Sequence, residues 1–152
     1  MNQSQKPNIK EAREEDLETI LDLYQKASID SGGSVLEIDK ARSIFKSIKA
    51  YPFYKFYIAR LDDEVVGTFS LLIMDNLGHC GAKSGLVEGV AVKHERQGQG
   101  IGKQMMEYAM AVCREHDCYK MSLSSNIKRE QAHRFYESLG FIRHGYSYLI
   151  DL

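Results

Sequence analysis

The chain has 152 residues, with 20 Lys and Arg against 21 Asp and Glu, a formal net charge of -1 and a pI of about 6.5. A chain of this length suits one domain, residues 1–152, and can bury roughly two-thirds of the surface that its unfolded form exposes. Its balanced charge gives no broad attraction to nucleic acid or to an anionic membrane, so neither is predicted as a partner.

Membrane, export and metal signals are weak throughout the sequence. The apolar runs are short, and residues 1–15 contain no apolar block, which predicts a cytoplasmic protein. Cys80, Cys113 and Cys118 are an odd number without the paired spacing of a zinc site, and the histidines show no metal-ligand spacing either. We therefore expect free thiols and no bound metal.

The first half of the chain predicts one strand, two helices and a hairpin. A short strand over residues 9–12 precedes apolar residues at helical spacing between 17 and 27, and a second amphipathic pattern over 38–48 is ended by Pro52. Residues 31–34, Ser-Gly-Gly-Ser, indicate a loop between these helices. Residues 53–60 and 64–74 are rich in aromatic and β-branched side chains, which is typical of an antiparallel hairpin.

The second half predicts a strand–helix–strand unit followed by one more helix and strand. The strands are expected at 85–92, 120–124 and 146–150, and the helices from near Gly102 to about His116 and over about 129–139. A crossover helix joins parallel strands, so the sheet that also contains the hairpin is mixed. The predicted class is α/β, or α+β because helices and antiparallel strands mix, with six to seven strands and about four helices.

Residues 97–103, Gln-Gly-Gln-Gly-Ile-Gly-Lys, join the central strand to its helix. Bare backbone at a helix start lets several N–H groups converge on one anion, which favours a pyrophosphate site over an ordinary glycine-rich turn. A dinucleotide fingerprint is a poor fit because its spacing is G-x-G-x-x-G. A triphosphate P-loop is a poor fit because Gln97 replaces its first glycine and Gln104 its Ser or Thr.

The same residues resemble a known family. Residues 97–102 fit the Q/R-x-x-G-x-G/A signature of the GNAT superfamily of acyl-CoA-dependent N-acetyltransferases, and the flanking residues follow the family's order: Val90-Ala91-Val92, Asn126, Ala132, Phe135-Tyr136 and Gly140-Phe141. The resemblance covers residues 85–141, which is 57 of the 152. It implies a single GNAT-type domain whose mixed, mostly antiparallel sheet contains a central, splayed pair of parallel strands.

The resemblance also implies acetyl-CoA as co-substrate, lying where the parallel strands splay apart. Its pantetheine arm would pair with the backbone of Val90 and Val92, and its pyrophosphate would accept N–H bonds from residues 99–103, with Gln97 bracing the turn. Asn126 either holds the pantetheine, orders the splay of the strands or simply belongs to a turn. The implied cofactor-binding residues are Val90, Ala91, Val92, Gln97, Gly98, Gln99, Gly100, Ile101, Gly102, Lys103, Asn126 and Phe135.

Two residues are candidates for acid–base catalysis. The resemblance implies that Tyr136 protonates the departing thiolate, although its helical spacing equally suits simple packing. Glu88 is the candidate base, acting directly or through water, and a salt bridge is its alternative role. Strand alternation puts Glu88 on one face with Val90 and Val92 unless a bulge intervenes. The family's mechanism suggests that the Val90 N–H polarises the thioester carbonyl.

The acceptor site is expected in the least motif-like segments, the loop around 29–36 and residues 75–84. Asp30 and Asp75 within them, and Glu37 next to the first, either attract an amine or face water.

Residues 86–88 resemble aminosugar and aminoglycoside acetyltransferases, but Gly89 replaces the acid that often follows the glutamate there, which counts against that substrate class. A polyamine, an amino acid, an aminosugar and a protein amine all stay open. The predicted activity is direct ternary-complex acetyl transfer to a primary amine. The alternative is a non-catalytic acyl-CoA-binding sensor or interaction module.

Oligomeric state is left open between two arrangements. Residues 146–150, Tyr-Ser-Tyr-Leu-Ile, are expected to form an aromatic strand. That strand either pairs with a second copy, giving a homodimer, or closes the protein's own sheet.

Overall fold

The computed structural model describes residues 6–29 and 33–152, which divide into a first unit ending at Ser122 and a second unit from Leu123 to Leu152. The described part of the first unit contains the strands β1 Asn8–Glu11, β2 Tyr54–Leu61, β3 Glu64–Met74, β4 Lys83–Val92 and β5 Cys118–Ser122. Its helices are α1 Leu17–Lys26, α2 Ile38–Ile48 and α3 Ile101–Glu115. The second unit contains α4, Glu130–Ser138.

The strands form one sheet in the order β1-β2-β3-β4-β5. Every neighbouring pair is antiparallel except β4 and β5, which are parallel and are joined through α3. The β2–β3 hairpin turns through Asp62, which takes a φ of 51°. These observations confirm the predicted mixed, mostly antiparallel sheet with a parallel pair, and they confirm the four helices among the described residues.

The sheet has five strands in the described residues, fewer than the six or seven expected. The missing element is the terminal strand, since residues 146–150 carry no strand and Tyr146 and Tyr148 are 90% and 91% exposed. A strand is stabilised by a pairing partner and a buried face, and aromatic propensity alone supplies neither. Pairing of this segment with a second copy stays a prediction.

Helices cover both faces of the sheet in the first unit. On one face, α1 contributes Ile20 and Leu23 to a buried cluster with Ile58 of β2 and Ala91 of β4. The other face packs against α3, whose Met105, Met106 and Ala109 are fully buried. Cys113 belongs to this buried face of α3, and burial raises the pKa of its thiol to about 12. This cysteine is therefore a core residue, not a reactive one.

Within the described ranges, every helix is too short or too polar to cross a lipid bilayer.

Candidate active site

The ladder between β4 and β5 ends before β4 does, which leaves a gap in strand pairing along that side of β4 in the first unit. The parallel ladder runs from Lys83↔Cys118 to Leu86↔Ser122, where β5 ends, and β4 continues to Val92. In the described part of the first unit, no strand pairs with this side of β4 beyond Leu86. The Lys93 N–H donates to the Val66 carbonyl at 2.8 Å on the β3 side, so alternation directs the backbone groups of Val92 and Val90 into the gap.

A β-bulge interrupts β4 beside this gap. Glu88 pairs with Ser70 and Ala91 pairs with Thr68, so two residues of β4, Gly89 and Val90, stand opposite one residue of β3. Gly89 has a φ of 60°, a left-handed conformation that glycine adopts readily.

The bulge changes which side chains share a face. Ser70 and Thr68 lie on one face of β3, so their partners Glu88 and Ala91 lie on the corresponding face of β4. Glu88 was predicted to share a face with Val90 and Val92 in the absence of a bulge. The bulge is present, and its extra residue shifts the alternation of side chains by one position, so that grouping is wrong.

The Glu88 side chain is exposed, and its backbone carbonyl accepts a hydrogen bond from Ser70 Oγ at 3.3 Å. Among the described residues, Glu88 takes part in none of the ion pairs, so the salt-bridge alternative has no support. An exposed carboxylate beside an open strand edge is accessible to a ligand or to water.

The glycine-rich loop places bare backbone at the start of α3. Gly98 and Gly100 have φ values of 75° and 80°, and the helix begins at Ile101 without a side-chain cap. The first regular helical bond is donated by the Gln104 N–H to the Gly100 carbonyl at 3.1 Å. The helix therefore provides no acceptors for the N–H groups of residues 101–103, and their use as an anion site stays a prediction.

Two glutamine side chains hold this loop in shape. Gln97 Nε2 donates to the Val92 carbonyl at 3.3 Å, and Gln99 Nε2 donates to the Glu95 carbonyl at 3.2 Å. The first bond ties the loop to the end of β4, which agrees with the bracing function expected for Gln97.

Ion pairs between the start of β3 and the residues that follow β4 were not predicted from the sequence. Glu64, at the start of β3, accepts hydrogen bonds from Lys93 Nζ at 2.7 Å and Arg96 Nη2 at 2.9 Å. These bonds, first from Lys93 and then from Arg96, lower the pKa of the Glu64 carboxyl. The partners are 29 and 32 residues apart along the chain, so no local spacing could reveal them.

In the second unit, Tyr136 is half-buried at the end of α4. Its ring centroid lies 5.1 Å from that of Phe135 and 5.6 Å from that of Phe141. The Phe141 N–H donates to the Tyr136 carbonyl at 3.1 Å and the Gly140 N–H donates to the Glu137 carbonyl at 3.0 Å, with Gly140 at a φ of 90°. This is a Schellman helix end, and it fixes the backbone that carries the phenol.

Asn126 organises the turn that precedes α4. Its Oδ1 accepts a hydrogen bond from the Lys128 N–H at 2.9 Å, and its carbonyl accepts one from the Arg129 N–H at 2.9 Å. The turn role considered for this residue is therefore present. Its contact with a pantetheine arm stays a prediction, as do the ligand contacts of Phe135.

The structure shows few contacts for the acidic residues that were expected at the acceptor site. Asp30 lies outside the described residues, and Glu37 and Asp75 are exposed. Within residues 6–29 and 33–152, no cluster of three or more His, Cys, Asp or Glu side chains is arranged to hold a metal ion.

The comparisons with known proteins agree with this geometry. Residues 15–141 match the model of the Acetyltransferase (GNAT) family. The chain is 34% identical over 88 residues to glucosamine 6-phosphate N-acetyltransferase of Trypanosoma brucei brucei, covering 58% of each chain. It is 35% identical over 95 residues to aminoalkylphosphonate N-acetyltransferase of Salmonella typhimurium, covering 62% of this chain and 58% of that protein.

A solved structure extends the likeness to nearly the whole chain. An acetyltransferase of Trypanosoma brucei superimposes with a TM-score of 0.83 at 25% identity, covering 96% of this chain and 99% of that one. The family model spans well over half of the sequence and includes both β4 and the glycine-rich loop. The chain belongs to the GNAT family of acetyltransferases.

Proposed function

We propose that this protein transfers an acetyl group from acetyl-CoA to a primary amine of a small molecule or a protein. The observation that carries the proposal is the open edge of β4 beyond Leu86, next to the uncapped, glycine-rich start of α3. The extended, amide-bearing pantetheine arm of acetyl-CoA requires an unpaired strand edge. Its diphosphate requires N–H groups at a helix start beside that edge. Family membership supplies the reaction class.

The residues present fit acetyl-CoA. Val90 and Val92 offer backbone groups to the pantetheine arm, and residues 101–103 offer N–H groups to the pyrophosphate. No described residue lies within 4 Å of the positions that a Cβ would occupy at Gly98 and Gly100, so these positions have room beside them. Acetyl-CoA supplies an acyl group already activated as a thioester.

Side chains of this protein accept and donate the protons that move during the reaction. Glu88, directly or through water, takes a proton from the amine, whose nitrogen forms the new bond to the acetyl carbon. The carbon–sulfur bond breaks, and Tyr136 gives its proton to the departing thiolate. The Val90 N–H stabilises the negative charge that develops on the acetyl oxygen.

Direct transfer is favoured over an acyl-enzyme intermediate. A cysteine nucleophile reacts as its thiolate, and burial raises the pKa of the thiols of both Cys113 and Cys118. We place the reaction in the cytosol, where a reducing environment keeps these thiols and that of Cys80 unpaired, as they are in the structure.

The relatives suggest where to begin the search for the acceptor. The Trypanosoma brucei brucei enzyme is named for glucosamine 6-phosphate and the Salmonella enzyme for aminoalkylphosphonates, both amines that also carry an anionic phosphorus group. We propose small amines of this kind as the first candidates, ahead of polyamines, amino acids and protein amines.

The test measures CoA thiol release from acetyl-CoA against a panel of these amines, with CoA binding followed by calorimetry. We expect turnover with at least one amine and an acetylated product by mass spectrometry. Tight CoA binding without turnover would favour the non-catalytic binding module. Absence of CoA uptake by folded protein would overturn both.

A pair of glycine variants tests the proposed anion site. Gly100→Ala forces a side chain onto a φ of 80°, and we expect roughly a tenfold rise in the Kd for CoA. Gly145→Ala is the matched control, because nothing lies within 4 Å of its Cβ position and its φ is not left-handed. Equal effects of the two changes would contradict an anion site at this loop.

A further inference from the structure

The side chain of Glu64 joins the start of β3 to the segment that leads from β4 into the glycine-rich loop. Glu64 pairs with Leu61 across the β2–β3 hairpin, so the sheet fixes its backbone. Because β3 runs antiparallel to β4, the start of β3 lies beside the residues that follow β4. The Lys93 N–H donates to the Val66 carbonyl at this junction, at 2.8 Å. Glu64 therefore stands on the sheet side of the junction, next to a segment that leaves the sheet.

Two cations of that segment converge on the carboxylate of Glu64. Lys93 Nζ donates to Oε1 at 2.7 Å, and Arg96 Nη2 donates to Oε2 at 2.9 Å. A lone surface ion pair contributes little, but two short, charge-assisted bonds to one carboxylate form a network with a defined geometry. The side chain of Lys93 is only 24% exposed, which reduces the screening of its bond by solvent. The network thus holds both ends of the short helical turn His94–Arg96.

The loop that follows this turn has weaker ties of its own. Its left-handed glycines would adopt many backbone conformations in an unrestrained chain. Its own side chains contribute two bonds from exposed neutral amides, from Gln97 at 3.3 Å and from Gln99 at 3.2 Å. Such bonds are weaker than the charge-assisted bonds to Glu64. The bond from Gln99 also ends on the Glu95 carbonyl, within the turn that Glu64 holds. The position of the loop therefore depends on Glu64.

The negative charge of Glu64 makes its effect on an anion site testable by sign. A carboxylate repels a nearby diphosphate, so electrostatics alone predicts that removing the charge tightens anion binding. Loss of a loop's support predicts weaker binding, because backbone N–H groups bind an anion only while they converge on it. The repulsion is small for a carboxylate that already faces two cations in a partly exposed, salt-screened position. We therefore expect the geometric effect to be the larger one.

We infer that Glu64 is a positioning residue for the diphosphate of acetyl-CoA. By holding Lys93 and Arg96, it keeps the N–H groups of residues 101–103 in the arrangement that binds the diphosphate. The inference rests on the proposed function, because it requires that a diphosphate bind at this loop. Glu64 itself touches neither the ligand nor the reacting atoms. The pantetheine arm is proposed to bind the edge of β4 instead, so its contacts do not depend on Glu64.

The experiment compares the wild-type protein with Glu64→Gln, which keeps the shape of the side chain and removes its charge. Calorimetry measures the Kd for CoA, which we expect to rise about tenfold. Kinetics compare acetyl-CoA with S-acetylpantetheine, a donor without the diphosphate. We expect an unchanged kcat at saturating acetyl-CoA and an unchanged kcat/KM for S-acetylpantetheine.

Hydrogen exchange of the ligand-free protein gives a readout that is independent of activity. The N–H groups of Arg96 and Gln97 close the turn that Glu64 holds, and we expect both amides to exchange faster in Glu64→Gln. Glu11→Gln is the matched control, because Glu11 accepts a bond from Lys55 Nζ at 2.8 Å between β1 and β2. It removes an ion pair of similar length elsewhere in the same sheet and is expected to change none of these values.

The outcomes separate the inference from the proposed function. An unchanged or lower Kd for CoA in Glu64→Gln, with CoA binding to the wild-type protein intact, overturns the inference alone. Equal losses with acetyl-CoA and S-acetylpantetheine assign Glu64 a general structural role in the sheet and also overturn it, as does an equal effect of Glu11→Gln. If the folded wild-type protein takes up no CoA, the proposed function and the inference fail together.

Discussion

Helices α1 and α4 end in the same way, and each presents a tyrosine from the same position of its final turn. The Tyr24 carbonyl accepts the N–H of the residue five positions on at 3.0 Å, and the Tyr136 carbonyl does so at 3.1 Å. The residue that turns left-handed differs, being Ser28 in α1 at a φ of 51° and Gly140 in α4 at a φ of 90°. One backbone motif thus positions both phenols, but with strain only at α1.

The two tyrosines differ in what lies opposite the ring. Tyr24 meets the backbone of Gly89 in the sheet, whereas Tyr136 contacts Phe135 and Phe141 of its own unit. A helix end can hold a phenol still, but the neighbouring groups decide its chemistry. We propose proton donation for Tyr136, whereas Tyr24 packs against the buried cluster under α1, and this difference can be tested.

The largest expected effect comes from Tyr136→Phe. Removing a proton donor from the thiolate should lower kcat on the order of tenfold to a thousandfold, with the Kd for CoA nearly unchanged. Steady-state kinetics and calorimetry measure the two quantities. Tyr24→Phe is the comparison, since Tyr24 packs against the buried cluster of the first unit and its loss of a hydroxyl should leave kcat nearly unchanged. A Tyr136→Phe variant changed mainly in KM would show that its phenol only packs.

A smaller effect is expected from Gly140→Ala, which gives the α4 end the kind of strain that α1 already has. A side chain at a φ of 90° should lower the free energy of unfolding by about 1–2 kcal/mol. Urea denaturation measures the change. Gly78→Ala is the control, because its φ is -69° and nothing lies within 4 Å of its Cβ position. Equal losses in the two variants would argue against a strained helix end.

The smallest effect is expected from Ser28→Gly, which relieves the strain at α1. Glycine adopts the left-handed conformation without a clash, and we expect a gain of about 0.5–1 kcal/mol in unfolding free energy. Ser43→Gly, in the middle of α2, serves as a control of opposite sign, since glycine in a helix interior costs about 0.5–1 kcal/mol. A loss of stability in Ser28→Gly would mean that the serine side chain itself stabilises the turn.

The sequence was sufficient for features that depend on local pattern. The helices and the hairpin follow from apolar spacing, and the loop at 97–103 follows from its glycines and its place between strand and helix. The open edge of β4 was implied by family resemblance. The terminal strand was not formed, because residues 146–150 have strand propensity but no pairing partner in the structure.

The sequence was insufficient where contacts join distant residues. Tyr24 meets Gly89, and Glu64 binds Lys93 and Arg96, across separations that no periodicity can connect. One local signal for the bulge did exist, since a glycine inside a strand pattern indicates a bulge or a close approach of another group. Gly89 has both features, and recognising the bulge would have placed Ala91, not Val90, on the face of Glu88.

The acetyl-CoA binding that we propose would also link the protein's survival in the cell to the unpaired edge of β4. A vacant edge inside a sheet is a template on which foreign strands can assemble, and an occupant that hydrogen-bonds to it removes that hazard. An occupant present at 100 times its dissociation constant adds about 2.7 kcal/mol to the folded state. Starvation that depletes the CoA pool should therefore shorten the lifetime of this protein as well as slow its reaction.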